Sequence, residues 1–409
     1  MKVMITGAQF NNKGAQSLLF SVMDYLKKKS REVEIYYLPL DDYRKYNNKL
    51  YRFEIVYGGM EAHYYENYAL ARPFILAKAW LRKIVKKSAV SISDVTKLHR
   101  VLPEMDAIID VSGYQLTSKF PYIMNRKFLY YIEEAKRHSK KVVLMPQSFG
   151  PFEYTEKKEK MHSLIKKDLN NADLIFAREK DGFDLLRNQF GVKNLLLSPD
   201  LVLQCGEIDW NNIYTSVTEI EYPILKTKGN VAIIPNTETF KHGDERLILS
   251  IYKEIIDELL CLGKMVYIFR HSRDLEACKK IYDLFRDNEK VVLIEDEFEC
   301  SEYSRFIEQF DYIVASRYHA IVHAYREDVP AIVLGWAVKY QELAELFGQQ
   351  AFVFDITRGD LTNLKVSELI QTMNNNFAVE KERIKKTLKK LSDSNCMDIC
   401  WNVICEGDK

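Results

Sequence analysis

The sequence lacks the features that define several large classes of proteins. Its 59 Lys and Arg residues almost balance its 58 Asp and Glu residues, so the formal net charge of +1 provides no general attraction to nucleic acid. No run of 18 uncharged apolar residues occurs, which excludes a membrane-spanning helix. The N-terminus enters a strand pattern directly, without a basic and then apolar signal segment, so we expect a cytoplasmic protein.

Several chemical motifs are also absent. The seven cysteines are odd in number and include no CxxC pair, so we expect reduced thiols rather than a disulfide framework. Neither a Walker loop nor a Gly-x-Gly-x-x-Gly fingerprint occurs, which removes the usual nucleotide hydrolases and dehydrogenases. The acidic run Glu295-Asp296-Glu297 cannot direct three consecutive side chains onto one ion. We therefore expect no metal site and no cofactor.

What the sequence does contain is a repeated alternation of short apolar runs and amphipathic helical patterns. The runs with strand character are Lys2–Thr6, Glu32–Leu38, Ala107–Val111, Lys141–Met145, Leu174–Ala177 and Asn194–Leu197, then Asn230–Ile234, Met265–Phe269, Val291–Ile294, Tyr312–Ala315 and Ala331–Leu334. Continuous apolar strands that alternate with helices are typical of parallel sheets covered on both faces. The pattern predicts an α/β protein.

The alternation pauses and restarts once, which indicates two domains, and 409 residues exceed one ordinary hydrophobic core. We predict a Rossmann-like domain at residues 1–205, a linker at 206–228, a second Rossmann-like domain at 229–375 and a helical segment at 376–409. A Tyr-rich insertion at about 42–102 interrupts the first domain, as a lid or an acceptor-binding element. Two parallel sheets facing a central cleft resemble the GT-B architecture.

Ligands of open parallel sheets bind beyond the carboxyl ends of the strands, and polar residues are concentrated in the loops that follow them. The candidates for substrate binding in these loops are Asn12, Gly14, Gln16, Gly113, Gln147, Ser148, Arg178, Asn236, His271 and Lys339. The loop at Asn12 opens a helix, whose N-terminus favours an anion or polar ligand, but a capping turn explains it equally well. Arg178 either binds an anionic ligand or pairs internally with Glu179 or another acid.

The strongest group of candidates lies in the second domain. Arg317 and His319 stand where a strand ends and a helix begins, and Lys339 enters from the loop after the next strand. Arginine offers a planar fork for carboxylate or phosphate, and lysine offers a point charge. Histidine supplies a proton donor with a pKa near working pH. Convergence of the three predicts an anion-binding catalytic site.

Residues 72–87 combine apolar and basic side chains, which is typical of an interfacial helix. The alternative is a helix that packs its apolar face on the domain and leaves its Lys and Arg residues in water. The first interpretation predicts peripheral contact with the inner face of the membrane.

Seven stretches together resemble the polysaccharide pyruvyl transferase family. They are Asn11–Gln16, Asp110–Gly113, Pro146–Pro151, Ala177–Glu179, Ser198–Asp200, Ser316–Ala320 and Pro330–Lys339. The resemblance implies transfer of a pyruvyl group from phosphoenolpyruvate to two hydroxyls of one sugar, free or lipid-linked, in a cell-surface polysaccharide. The products would be a cyclic ketal and phosphate.

The resemblance also implies roles for individual residues. Arg317 and His319 would act on phosphoenolpyruvate, with His319 as the proton donor, and Arg178 and Lys339 would help to hold the donor. The chain departs from the family pattern at Ala15, where many members have Asp, and at Ser112, where a Gly-Gly pair is usual. Both positions lie in the first domain, which should hold the acceptor, so the identity of the acceptor stays open.

Two other functions remain open for this architecture. A nucleotide-sugar glycosyltransferase would use Arg317 and Lys339 to hold a diphosphate. A protein that binds surface glycans without catalysis would not need the intact set of Arg178, Arg317, His319 and Lys339.

Overall fold

The strands form two separate sheets in a computed structural model that describes residues 1–39, 50–85, 90–216, 222–335, 337–357 and 363–406. The strands of the first sheet are β1 Lys2–Thr6, β2 Glu34–Leu38, β3 Glu54–Ile55, β4 Ala107–Asp110, β5 Lys141–Gln147, β6 Leu174–Ala177 and β7 Leu195–Leu197. Those of the second are β8 Asn230–Ile234, β9 Met265–Phe269, β10 Val291–Ile294, β11 Tyr312–Ala315, β12 Ala331–Leu334 and β13 Val353–Phe354.

Helices connect and cover these strands. In the first half of the chain they are α1 Lys13–Lys29, α2 Met60–Asn67, α3 Arg72–Ile84, α4 Ile92–Val101, α5 Tyr122–Arg137, α6 Lys158–Leu169 and α7 Lys180–Phe190. In the second half they are α8 Thr237–His242, α9 Glu245–Cys261, α10 Leu275–Tyr282, α11 Cys300–Ile307, α12 Tyr318–Arg326, α13 Val338–Phe347, α14 Asn363–Ser392 and α15 Cys396–Cys405. Asparagine or aspartate side chains cap several of them, including α1, α8 and α9.

Both sheets are parallel and doubly wound. The strand order is β3-β2-β1-β4-β5-β6-β7 in the first and β10-β9-β8-β11-β12-β13 in the second. Every residue of β4, β8 and β11 is buried, because helices cover both faces of each sheet. The prediction of two Rossmann-like domains is confirmed. The strand order reverses next to β1 and next to β8, which places the favoured ligand position at the carboxyl ends of β4 and β11.

The predicted strands agree closely with the observed ones, and the differences are local. The strands β3 and β13 contain two residues each and carry too little apolar pattern to be predicted. Helix α14 continues through residues 375 and 376, where the sequence analysis ended the second domain, so that division does not coincide with an element boundary. The helix continues because Met373 is buried and Phe377 packs against the core of the second domain.

The Tyr-rich insertion forms helices α2, α3 and α4 beside the first sheet. Tyr43 and Tyr46 lie outside the described residues. A small apolar cluster of Ala79, Val90 and Val95 holds this insertion together. Within the described part of the chain, no helix combines the length and the apolar character needed to cross a membrane.

The two domains share one continuous hydrophobic core, in which α1 packs against α11 and α12. Gln16 joins them through both ends of its amide group. Its Nε2 donates to the Glu299 carboxylate over 2.6 Å, and its Oε1 accepts from the backbone N–H of Cys300 over 3.2 Å. The side chain that we predicted to bind substrate is therefore occupied by the other domain.

The C-terminal helix α15 returns to the first domain. The backbone N–H of Cys396 donates to Oε1 of Gln204 over 2.9 Å, and Asp398 pairs with Lys29 over 2.8 Å. Helix α15 therefore provides a second connection between the two domains, in addition to the packing of α1.

We expect the two domains to unfold together, and Gln16→Ala to lower the free energy of unfolding by about 1–3 kcal/mol, because Glu299 loses a buried partner. Urea denaturation followed by tryptophan fluorescence and circular dichroism measures both. The matched control is Gln341→Ala, which removes an exposed Gln–Glu contact within α13 and should change stability by less than about 0.5 kcal/mol. Two resolved transitions, or equal effects of the two variants, would contradict the coupling.

Candidate active site

The carboxyl ends of both sheets border one cleft, and helix α1 begins at its base. Asn12 caps α1 by accepting from the N–H of Gly14 over 3.1 Å, so the loop is the capping turn that was one of two expectations. Gly14 lies directly against His319 of the other domain, and a methyl group at this position would overlap the imidazole ring. Glycine is required here because it lets His319 reach the first domain.

His319 stands in the first turn of α12 with 21% of its side chain exposed. Its Nε2 lies 4.0 Å from the Asp200 carboxylate and makes no hydrogen bond to the described residues. Burial lowers the pKa of His319 well below its usual range, and Arg178, Lys339 and Arg317 lower it further. From the sequence, the pKa of His319 was predicted to lie near working pH. The lowered pKa favours the neutral imidazole instead.

Arg317 forms a two-point ion pair with Asp274. Its Nε and Nη2 donate to the two carboxylate oxygens over 2.8 and 2.7 Å, and Asp274 is fully buried. Burial alone would lower the pKa of Arg317, but the pair with Asp274 outweighs it and leaves the pKa raised. Asp274 was not among the predicted residues, and its only signal was an acid five residues beyond the end of β9 in the same set of loops.

Arg178 is held inside the protein by two carboxylates. It donates to Glu179 and to Asp200, each over 2.9 Å, and to the Ser148 hydroxyl over 2.6 Å. Its guanidinium also stacks on the Tyr318 ring at 4.3 Å from the centroid. Internal pairing was one of the two alternatives for Arg178, and it is the arrangement in the structure.

Lys339, unlike Arg178 and Arg317, is not paired with an acidic side chain of the described residues. Its ammonium group lies 5.3 to 5.8 Å from the ring centroids of Tyr114, Tyr318 and Tyr340, and it has no ion pair with the described residues. Burial and the nearby Arg178 lower the pKa of Lys339 to about 8, although Glu179 opposes this. A desolvated cation without a carboxylate partner favours an anionic ligand.

Two further cations extend the positive character of the cleft, and the sequence analysis did not select either. Lys13 opens α1 with only 3% of its side chain exposed, 3.7 Å from the Glu297 carboxylate. Arg270 follows β9 and contacts the same carboxylate over 3.3 Å. Burial lowers the pKa of Lys13, and Glu297 partly compensates. Two cations thus share one half-exposed acid.

Two further predicted residues, Asn236 and His271, contact the segment that carries Arg317 and His319. Asn236 caps α8 and donates to the carbonyl of Ser316 over 3.1 Å, which fixes the loop that carries Arg317. His271 stacks on His319 with centroids 6.4 Å apart, and burial lowers its pKa. The Nε2 of His271 makes no hydrogen bond to the described residues.

The end of β5 is buried in the first domain. Gln147 donates to Asp110 over 3.2 Å, and Gly113 follows β4 with a φ of 67° that favours glycine. Ser148 is shared between Arg178 and Glu179, to which it donates over 2.8 Å. The structure therefore brings Arg317, His319 and Lys339 to the cleft, holds Ser148 beside Arg178 and buries Gln147 completely.

Solved structures with the same two-domain architecture resemble the whole chain. The UDP-GlcNAc 2-epimerase of Methanocaldococcus jannaschii is 14% identical with a TM-score of 0.55, over 92% of this chain and 93% of that one. A TarM mutant from S. aureus is 9% identical with a TM-score of 0.54, over 99% and 100%. The UDP-GlcNAc 2-epimerase of Neisseria meningitidis is 14% identical with a TM-score of 0.53, over 96% and 99%. At these identities the likeness establishes the GT-B fold alone.

Sequence comparison identifies the family. Curated proteins yield no match. The family model described as polysaccharide pyruvyl transferase matches residues 12–337, which include the cleft residues from Asn12 through Arg317 and His319. Because this match covers most of both sheets and the loops at their carboxyl ends, the chain belongs to the polysaccharide pyruvyl transferase family.

Proposed function

We propose that the protein transfers the pyruvyl group of phosphoenolpyruvate onto two hydroxyls of one sugar in a polysaccharide or its precursor. The observation that carries the proposal is the position of Lys339, Arg317 and His319 at one end of the cleft. Lys339 lacks a carboxylate partner among the described residues, and Arg317 uses only two of its three nitrogens for Asp274. A small, highly charged anion matches this arrangement.

Phosphoenolpyruvate carries a carboxylate and a phosphate, and each needs a cation once it leaves water. We assign these to Lys339 and to the free edge of Arg317. Arg178 acts as a positioning residue, since its nitrogens are taken by Glu179, Asp200 and Ser148. It fixes Asp200 beside His319 and stacks on Tyr318, which contributes to the cage around Lys339.

Donor binding would change the protonation of His319. Its lowered pKa results from burial and from the positive charge of three nearby cations. Bound phosphoenolpyruvate, a trianion, would offset that positive charge and raise the pKa of His319. The same negative charge favours an imidazolium with Asp200 on its other side. The acid needed for catalysis would thus form only when the donor is in place.

The chemistry then follows in two additions. His319 gives its proton to the methylene carbon of phosphoenolpyruvate while the first sugar hydroxyl adds to C2 and loses its proton. The C–O bond to phosphate breaks, and phosphate leaves with its electron pair. The second hydroxyl closes on C2, so one C–H and two C–O bonds form, one phosphate is released, and the two hydroxyl protons restore His319 and protonate the products. Holding both hydroxyls near C2 supplies much of the rate.

Helix α3 supports the proposed contact with a membrane. Four large apolar side chains, Leu70, Phe74, Leu81 and Val85, are exposed at spacings of four, seven and four residues, so they form one stripe along α3 and its flanks. Ile75 and Ala79 pack on the opposite side, against the insertion. This arrangement differs from the alternative expectation, a helix that packs its whole apolar face on the domain. Basic residues flank the stripe, so we propose an anionic bilayer as its partner.

The acid role of His319 predicts proton uptake. At pH 7, binding of phosphoenolpyruvate to the wild type should take up about one proton, measured by calorimetry in buffers of different ionisation enthalpy. His319→Gln should abolish the uptake and lower kcat for phosphate release by about 10²–10⁴-fold. His162→Ala, on helix α6 away from the cleft, is the control. Full activity in folded His319→Gln protein would disprove the role.

The same titrations distinguish the donor. Binding of a UDP-sugar in place of phosphoenolpyruvate would favour a nucleotide-sugar glycosyltransferase, in which Arg317 and Lys339 hold a diphosphate. Binding of glycan with no phosphate release from phosphoenolpyruvate would favour a non-catalytic glycan-binding protein.

Lys339 predicts a specific pH dependence of donor affinity. Its pKa is lowered to about 8, so its charge is present below pH 8 and lost as the pH rises above it. The Kd for phosphoenolpyruvate in the wild type should rise more steeply above pH 8 than below it. Lys339→Arg keeps the charge and should remove this extra steepness, whereas Lys339→Met should weaken binding throughout. Identical profiles for the wild type and Lys339→Arg would contradict the assignment.

The membrane contact predicts co-sedimentation with vesicles that contain phosphatidylglycerol and weaker binding to neutral vesicles. Phe74→Glu and Leu81→Glu should each reduce the bound fraction by severalfold, because a charge replaces buried apolar area on the membrane. Val379→Glu, at an exposed apolar position on α14, is the matched control and should bind like the wild type. Equal loss in all three variants, or no vesicle binding by the wild type, would refute the contact.

A further inference from the structure

Outside the cleft, three helices bring two carboxylates and two imidazoles together. Glu66 comes from α2, His99 from α4, Glu134 from the last turn of α5, and His138 from the C-cap of that helix. One ligand atom each from Glu66, Glu134 and His138 lie within 4.8 Å of one another. Glu134 and His138 are four residues apart, so they project from the same side of the helix.

The polar atoms of this cluster are buried but poorly paired. Glu134 is fully buried, and neither of its oxygens accepts a hydrogen bond of ordinary geometry from the described residues. Arg137 stands 2.5 Å from one oxygen, and its side chain is half exposed. Nε2 of His138 is buried without a hydrogen bond and lies 3.7 Å from Glu66, which is too far for one.

The two carboxylates of the cluster lie next to each other, and Arg137, which pairs with Glu134, is half exposed. Two adjacent buried carboxylates are unfavourable unless a cation lies between them. A divalent ion at the point where Glu66, Glu134 and His138 converge would satisfy both carboxylates and the unpaired imidazole nitrogen.

We propose that Glu66, Glu134 and His138 bind a divalent transition metal, with Zn²⁺ as the expected ion. Mixed carboxylate and imidazole ligands suit zinc, whereas magnesium and calcium prefer oxygen alone. His99 contacts the second oxygen of Glu66 over 2.5 Å and would orient that ligand from the second coordination layer. This site departs from our expectation that the chain holds no metal.

The ion would have a structural task. It would tie α2 of the insertion to α5 of the sheet domain, beside a cavity of about 590 Å³ that these two helices line. The wall of this cavity includes His63, Tyr64, Asn67 and Tyr68 from the insertion. Since the metal lies away from Arg317 and His319, its removal should destabilise the insertion rather than abolish the chemistry of the cleft.

The test uses untagged, full-length protein stripped with EDTA and titrated with Zn²⁺ against a chromophoric chelator. We expect one tightly bound ion per chain and a Zn²⁺-dependent rise in melting temperature. His99→Gln should weaken binding by about 10–100-fold, and Glu134→Gln and His138→Gln should weaken it more, because they remove ligand atoms. Circular dichroism establishes that each variant is folded.

The matched control is Glu133→Gln, the neighbouring residue on α5, whose carboxylate pairs with Arg126 and Lys167, lies 4.0 Å from Arg137 and does not belong to the cluster. It should bind Zn²⁺ like the wild type. Absence of a stoichiometric ion in folded wild-type protein would overturn the proposal. So would a stoichiometric ion that survives both Glu134→Gln and His138→Gln, since the seven cysteines offer other ligands. A thiolate signature in the absorption of the Co²⁺-substituted protein would show that outcome directly.

Discussion

The buried guanidinium of Arg178 is the constraint on which the cleft depends. A charge removed from water must be matched by opposite charges, and Arg178 recruits Glu179 from its own loop and Asp200 from the loop after β7. Its flat face then packs on Tyr318 of the other domain. One side chain therefore sets the positions of two strand-end loops in the first domain and of the first turn of α12 in the second.

The unusual electrostatics of the cleft follow from this arrangement. Asp200 is committed to Arg178, so it stands near His319 without forming a short ion pair with it. Asp274 is similarly committed to Arg317. Because these two acids pair with the arginines, the ammonium group of Lys339 lies among tyrosine rings without a nearby carboxylate partner in the described part of the chain. Burial and this positive charge together lower the pKa of His319.

The pattern of apolar and polar residues along the sequence predicts the strands of both sheets well. It predicts poorly which side chains pair with each other. The strands carry continuous apolar runs that only a doubly covered sheet can bury, so their bounds follow from residues such as those of β8 and β11. The strand-end rule also selects Arg317, His319 and Lys339. It does not separate cleft residues from supporting ones, because a supporting contact such as that of Asn236 with the Ser316 carbonyl joins residues distant in sequence. The pKa of His319 depends on burial, which a linear pattern does not contain.

The two departures from the family pattern have a local explanation in the first domain. The Ser112 hydroxyl donates to Asp110 over 3.0 Å and rests against Gly7, whose φ of 93° and missing side chain leave room for it. Ala15 lies in the first turn of α1, next to Gly14, and is buried, so the side chain at this position has little room. Both departures therefore lie in the first domain and leave Arg317 and Lys339 of the second domain in place. If the first domain holds the acceptor and Arg317 and Lys339 hold the donor, as proposed, these two departures change the surroundings of the acceptor and leave the residues assigned to the donor unchanged.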